Sequence, residues 1–544
     1  MAATGLQSEN RDLYRWQLEA LVSWLNCGRR GVVEAVTGSG KTDVAIAAAA
    51  DALRRGRFVL VLVPSRVLME QWHGRLTTAL PEACIGRLGD NGRDDPKSCD
   101  VLVATRHSAA AYKPVPPGKS GGLLIADECH GLGGGVLRRA LLPQYEERLG
   151  LTATLERSDD AVTDLLLPYF GGICHRYGFE QAIADGVCAP PRVAFVGVPL
   201  SVEERAEYVA TEQQLVNARH HLRQVRDMPL EPFGDFLAAV AHLAEGDAGP
   251  DGRAAREYLE AFSKRRQIVA QTIGKYELLG SLAPAIRDAD GALVFTETVR
   301  AANHAINRLD PLVSIDVITG STARTQRRDI LDDLRIRRLD AVAAPRVLDE
   351  GIDVPDANLG IVMSASRTRR QMIQRMGRIL RRKRPGVAAR FVIMFAQDTL
   401  EDPANHIERD GFLDEIERIS DASGIFESAQ FDKLDIFLAE PGPEFVPEPA
   451  RVNRDEVDDA FRLHAVPLSR AERDAAPYLE LALSNLPAIA KPRAEPKRFS
   501  TGQQPLEIAR IGSAWRIRCT GCGEASPLVE FRWQVLDQTV ACRC

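Results

Sequence analysis

The sequence predicts an α/β chain built on doubly wound parallel sheets, and three observations lead there. Short apolar, β-branched runs alternate with helical runs through the first 200 residues and again after residue 286. These runs are apolar throughout rather than at every second position, as strands buried on both faces of a parallel sheet are. A Gly-rich turn and an acidic pair fall at strand ends, which is where such sheets bind their ligands.

The elements follow in order. Residues 11–25 place Leu18, Leu21, Val22 and Leu25 on one helical face, with Gln17 just ahead of it. A glutamine amide can donate to and accept from an adenine edge. Val32 to Val36 is a strand that enters Thr37-Gly38-Ser39-Gly40-Lys41-Thr42, and the Ala-rich run from Val44 to Ala52 reads as a helix. This is a strand, phosphate loop and helix. The small residues let backbone N–H groups close around phosphate oxygens, and the helix N-terminus adds partial positive charge. Lys41 is placed to reach the outer phosphates and Thr42 to ligate Mg²⁺. Ala35 stands where the G-x-x-x-x-G-K-[ST] pattern has its first glycine, and an ordinary turn before a helix is the competing reading.

Residues 58–65, 100–105, 121–126 and 148–154 read as further strands, with a helix over 66–80. The third of these ends in Asp127-Glu128-Cys129-His130. One carboxylate, Asp127, is placed to hold Mg²⁺, which keeps several waters and uses few carboxylates. Glu128 can orient or deprotonate an attacking water. His130 can hydrogen-bond to another segment and report whether the γ-phosphate is present. An acidic pair alone can be a solvated turn, but this one follows a phosphate loop within the same α/β pattern.

Composition narrows the function classes. At 544 residues, 45% hydrophobic and 26% charged, the chain is globular with several domains. A net charge of −6 means that nucleic acid must be met by local basic patches rather than by the whole surface. There is no apolar run long enough to span a membrane and no secretory signal, so the expected compartment is the cytoplasm. Six cysteines are scattered from Cys27 to Cys188, as reduced thiols are, and four crowd into the last 26 residues.

The motifs taken together resemble the superfamily 2 (DEAD/DEAH-box) helicases and translocases, whose hydrolysis box is Asp-Glu-x-His. The likeness is strongest to the XPB-type branch, with phage UvsW and restriction-enzyme motor subunits nearby. It rests on residues 37–42, 63–72, 127–130 and 149–157, and covers about residues 11–400. The XPB proteins carry Arg-Glu-Asp after Thr-Ala-Thr, whereas this chain has Arg157-Ser158-Asp159. The resemblance implies two tandem RecA-like domains with ATP between them.

Residues 201–285 read as helices with two basic clusters, 219–226 and 264–266, which either touch nucleic-acid phosphates or form a solvated face. Strands resume at 291–297, 313–318, 339–344 and 359–364, without a second phosphate loop. A helix over 368–384 carries Gln374, Arg378 and Arg381, and the two arginines, three apart, share a face. Such guanidinium groups can grip a γ-phosphate from the far side. The resemblance places Gln374 at the γ-phosphate or the His130 box, and Gly351 and Asp353 among the nucleotide sensors. It also implies that Ser65, Arg66, Thr105, Arg106, Thr319 and Gly320 track a nucleic-acid backbone without reading sequence.

Beyond residue 400 the pattern weakens. Residues 440–449 read as an acidic, stiff, Pro-rich linker. Cys519-Thr520-Gly521-Cys522 and Cys542-Arg543-Cys544 flank an alternating stretch, as the four thiolates of a structural Zn²⁺ ribbon do; four free thiols, or a redox pair in Cys519 and Cys522, are the alternative. The expected domains are 1–200, ATP-binding; 201–285, helical; 286–438, second RecA-like; 439–510, linker and helices; and 511–544, zinc ribbon. The expected activity is ATP-dependent movement on DNA, by resemblance 3′ to 5′, with ATP and Mg²⁺ as cofactors and the C-terminal tail as a site for protein partners. A motor subunit of a repair, restriction or phage-defence assembly, and an RNA helicase, are the competing readings.

Overall fold

In the computed structural model the described residues are 12–464, less 90–91, 118–120, 158, 226–227, 231–232, 346–356, 364–376, 378, 403–415 and 417, together with the backbone of 506–511 and 514–519. The first domain is an eight-stranded sheet. In spatial order its strands begin at residues 92, 85, 101, 58, 122, 147, 30 and 173, all parallel except the short Gly92–Arg93 edge. Phe58–Val63 and Val101–Thr105 are buried at every position, which is why their sequences do not alternate. The order puts Glu147–Thr152 between the strand that enters the phosphate loop and the strand that ends at Asp127. The three strand ends that carry Ala35, Asp127 and Thr152 are therefore neighbours.

The second domain is a seven-stranded, fully parallel sheet whose strands begin at 315, 341, 292, 359, 389, 191 and 422. One strand that precedes the expected boundary at residue 200 lies in this second sheet. Pro191–Val198 pairs with Ala389–Ala396 and Ala422–Glu427, so it belongs to the second sheet. Its apolar sequence suits either sheet equally, and only pairing decides.

The helical segment is consequently an insertion after the first strand of the second domain. Helices Val202–Leu222, Phe233–Gly246 and Pro250–Ala270 close around Leu215, Leu222, Phe236, Val240 and Tyr258. The last of these helices ends at Gln271–Thr272, where Glu204 accepts both Thr272 Oγ1–H at 2.6 Å and Ile273 N–H at 2.9 Å. Helix Ile273–Ser281 then packs Leu278 and Leu279 onto the second sheet. The cluster at 264–266 is a network of ion pairs: Lys264 with Glu207 at 2.9 Å, Arg265 with Glu212 at 2.7 Å, and Arg266 with Glu297.

Residues 483–544 form a separate unit, in which Leu506–Ile511 and Ala514–Cys519 make an antiparallel hairpin with Cys519 opposite Leu506. Cys522, Cys542 and Cys544, like the Cys519 side chain, lie outside the described residues, as does the alternating stretch between the two cysteine pairs. Among the described residues no helix is long and apolar enough to cross a membrane, and the six scattered cysteines are free thiols.

Candidate ATP site and nucleic-acid cleft

The phosphate loop has the backbone its sequence requires. Gly38 and Gly40 sit at φ 86° and 92°, left-handed values that a side chain would strain. Gly40 caps helix Lys41–Arg54, so the first-turn N–H groups face the loop. Lys41 donates to Ala35 O at 2.7 Å and Val36 O at 3.2 Å. Burial pushes its ammonium pKa down, and the carboxylates of Glu128 and Asp127 oppose that shift. Ser39 is buried and donates to Val36 O at 2.7 Å. Thr37 Oγ1 is buried without a hydrogen bond to any described residue. A buried unsatisfied hydroxyl inside an anion-shaped loop fits a phosphate oxygen.

Gln17 is buried beside this loop. Its Nε2 donates to Gly40 O at 2.9 Å, and its Oε1 accepts from Tyr14 N at 2.8 Å. The amide thus anchors the loop through one N–H and keeps a second N–H for a base edge.

The acidic box is held by residues from other segments. Asp127 accepts Trp72 Nε1–H at 2.8 Å and Glu128 N–H at 3.0 Å, and burial raises its pKa. Trp72 carried no signal of this in the sequence, beyond the rule that a buried indole N–H finds an acceptor. Glu128 has φ 48°, an unusual value for glutamate that turns the chain sharply after the strand. Its Oε2 lies 3.4 Å from His130 Nδ1. His130 Nδ1 also lies 3.1 Å from Thr152 Oγ1. That hydroxyl donates its proton to Thr154 O at 2.8 Å, so it accepts from His130, and the imidazole carries its proton on Nδ1. Arg157 closes the ring. It donates to His130 O at 2.9 Å and holds Asp159 by two bonds of 2.6 and 2.7 Å.

The second domain reaches the loop directly. A Cβ on Gly377 would lie 2.4 Å from Thr37 Cβ, and one on Gly38 would lie 2.7 Å from Gly377 O and 3.4 Å from Arg381 Cγ. Arg381 is fixed there by a bridge to Cys188 and by Ala189 N–H donating to Leu380 O at 2.8 Å. Gln374, Arg378, Gly351 and Asp353 lie outside the described residues.

A separate cavity of 540 Å³ opens between the domains, lined by Ser65, Arg66, Thr105 and His107 from the first and by Gly320, Thr322 and Arg327 from the second. Ser65 and Thr105 cap the helices that begin there, and Arg327 holds Thr319 O at 3.1 Å. Of the six expected backbone-tracking residues, four line this cavity and Thr319 adjoins it. Arg106 does not. It is 6% exposed and lies over Gly131, where a Cβ would come within 1.4 Å of its Nη1. It faces the acidic box, where its charge opposes the rise that burial gives the Asp127 pKa. Its neighbour His107 takes the surface position. The alternation is set by the helix that starts at Arg106, which points consecutive side chains about 100° apart.

Residues 10–157 match the family described as "Type III restriction enzyme, res subunit", and residues 274–383 match the "Helicase conserved C-terminal domain". The "DNA 3'-5' translocase XPB2" of Sulfurisphaera tokodaii is 32% identical over 375 residues, 68% of this chain and 79% of that protein. The "DNA 3'-5' helicase XPB" of Kineococcus radiotolerans is 27% identical over 75% of this chain and 64% of its own length. The XPB subunit of the general transcription and DNA repair factor IIH of Danio rerio is 28% identical over 71% of this chain, but only 44% of its own length is spanned. The chain spans about half the length of the two haloarchaeal Rad25 relatives. In fold, a Dbp5 variant from S. cerevisiae bound to RNA and ADP BeF3 matches 78% of the chain with a TM-score of 0.51 and 14% identity. The chain belongs to the XPB branch of the superfamily 2 helicases and translocases.

Proposed function

We propose that the chain is an ATP-driven DNA motor that moves 3′ to 5′ along one strand. The observation that carries the reading is the meeting of Gly377 and Arg381 with Thr37 and Gly38, which makes the phosphate loop one half of a two-domain site. The names of the relatives supply the DNA and the polarity.

In this reading Lys41 and the loop N–H groups hold the phosphates, and Gln17 offers its remaining amide hydrogen to the base. Thr42 and Asp127 hold Mg²⁺, which neutralises phosphate charge when bound. Glu128 orients the attacking water. Arg381, with Arg378 and Gln374, stabilises the transition state from the second domain. His130 passes the state of the γ-phosphate to Thr152 and, through Arg157, to the segment after it. Ser65, Arg66, Thr105 and Gly320 contact backbone phosphates in the cavity. The compartment in this reading is the cytoplasm. A structural Zn²⁺ on Cys519, Cys522, Cys542 and Cys544 is supported by their spacing alone, and one zinc per full chain, lost in Cys542→Ser, is the result expected.

The test is ATP hydrolysis with DNA or RNA added. Stimulation by single-stranded DNA well above that by RNA supports the reading, and equal or greater stimulation by RNA sinks it. The match of residues 10–157 to a restriction subunit favours a second reading, a motor that works only within a larger assembly. Such a chain hydrolyses ATP on DNA without separating strands by itself.

A further inference from the structure

The chain beyond residue 440 returns to the first domain. It leaves the second domain where Gly442 N donates to Gly386 O at 3.0 Å and Gly386 N donates to Pro443 O at 2.9 Å. It then runs beside the connection between the domains. Arg382 donates to Pro447 O at 3.3 Å, and a Cβ on Gly186 would lie 2.0 Å from that same oxygen. The Pro-rich stretch is thus docked, and its prolines, lacking N–H groups, leave few donors to satisfy on the way.

At the first domain the segment becomes regular. Arg15 N donates to Ala450 O at 2.8 Å, and Arg451–Val452 pairs antiparallel with Leu13–Tyr14. Asn453 and Glu456 form a reciprocal cap on helix Arg454–Leu463. Val452 and Ala460 pack against Leu18, on the helix that carries Gln17. Arg54 lies over the buried Phe461 ring at 5.8 Å and donates to Asp458 at 2.6 Å.

This docking bears on the nucleotide loop through one continuous set of contacts. The Arg451 guanidinium lies 4.8 Å from the centre of the Tyr14 ring and donates to Asp12 O at 3.1 Å. Tyr14 N–H orients the Gln17 amide, and Gln17 holds Gly40 O. Neither family match extends to this segment, since the second ends at residue 383.

We propose that residues 441–463 form a strap between the two domains, and that Arg451 is a positioning residue that sets Gln17 against the phosphate loop. The inference rests on the ATP-binding reading above. It makes nucleotide affinity depend on a segment anchored in the second domain, so that movement between the domains reaches the base-recognition end of the site as well as the γ-phosphate end.

The experiment is a double-mutant cycle on the full chain: wild type, Arg451→Ala, Gln17→Ala and the double variant, assayed for ATP hydrolysis at saturating DNA. Arg451→Ala should raise the KM for ATP about tenfold with kcat changed less than about twofold, as the loss of an oriented hydrogen bond does. The double variant should match Gln17→Ala, because the two residues act through one contact. A wild-type KM in Arg451→Ala, or a double variant whose KM rises by the product of the single effects, overturns the strap's role. ATP hydrolysis that survives Lys41→Ala overturns the nucleotide reading instead. Thermal melts separate folding from positioning, and if Arg451→Ala does not fold, Arg451→Gln carries the same KM test.

Discussion

Gly377 of the second domain lies on Thr37 of the phosphate loop so closely that a single added methyl would come within 2.4 Å of the threonine Cβ and 2.7 Å of its carbonyl oxygen. Backbone on both sides leaves the methyl no room. Gly377→Ala should hold the domains apart and lower kcat/KM for ATP by about a hundredfold, since misplacement of about 1 Å is enough for that. Steady-state hydrolysis checks it, with a thermal melt close to wild type showing that both domains still fold.

Thr152 holds His130 by accepting its Nδ1 proton. Thr152→Val keeps the shape and removes the acceptor. DNA-stimulated hydrolysis should fall about tenfold, while hydrolysis without DNA changes less, because the contact joins the box to the segment that follows rather than to the phosphates. Thr152→Ser should retain the stimulation. Rates measured with and without DNA for both variants decide it.

Arg66 and Arg106 should separate cleanly. Arg66 is exposed in the cavity and Arg106 is buried over Gly131. Arg66→Ala should weaken single-stranded DNA binding and flatten its salt dependence by about 0.7 in log–log slope, the loss of one phosphate contact. Arg106→Ala should leave that slope alone and lower stability by about 2–4 kcal/mol, as removal of a buried charge does. DNA titrations at several salt concentrations and denaturant unfolding measure the two effects.

His175 gives a pH signature. It is buried in a stack with Trp16, and burial holds its pKa down to about 4 from an ordinary 6.5. The unfolded chain therefore binds a proton that the folded chain refuses between these values. Its contribution to stability is whole above about pH 6.5 and declines as pH falls toward about 4, by on the order of 3 kcal/mol. His175→Phe keeps a ring in the stack and should make the decline shallower in urea unfolding followed across that range.

The phosphate loop and the acidic box were legible because each is a contiguous run whose residue types already dictate its chemistry. The partners that hold them were not. Trp72 and Asp127 are 55 residues apart, and His130 meets Thr152 only because the strand order makes their strands neighbours. That 191–198 pairs in the second sheet was not legible for the same reason, since composition does not encode pairing. Arg106 looked like a surface cation beside Thr105, and one step of helix rotation turned it inward. The basic run at 264–266 could have faced DNA or solvent, and the glutamates that engage it come from distant helix turns and a strand end. The strap had a local signal in the Asn453–Glu456 cap, but nothing in its sequence pointed to Tyr14.

The central claim is that ATP is hydrolysed at a site shared by two domains and driven by DNA. Hydrolysis by the full chain, with and without single-stranded DNA, tests it most directly when wild type is set beside Lys41→Ala, Glu128→Gln and Arg381→Ala. The account predicts strong stimulation of the wild type by DNA and its loss in all three variants, including the one in the second domain. Hydrolysis indifferent to DNA, or undiminished in Arg381→Ala, would contradict it.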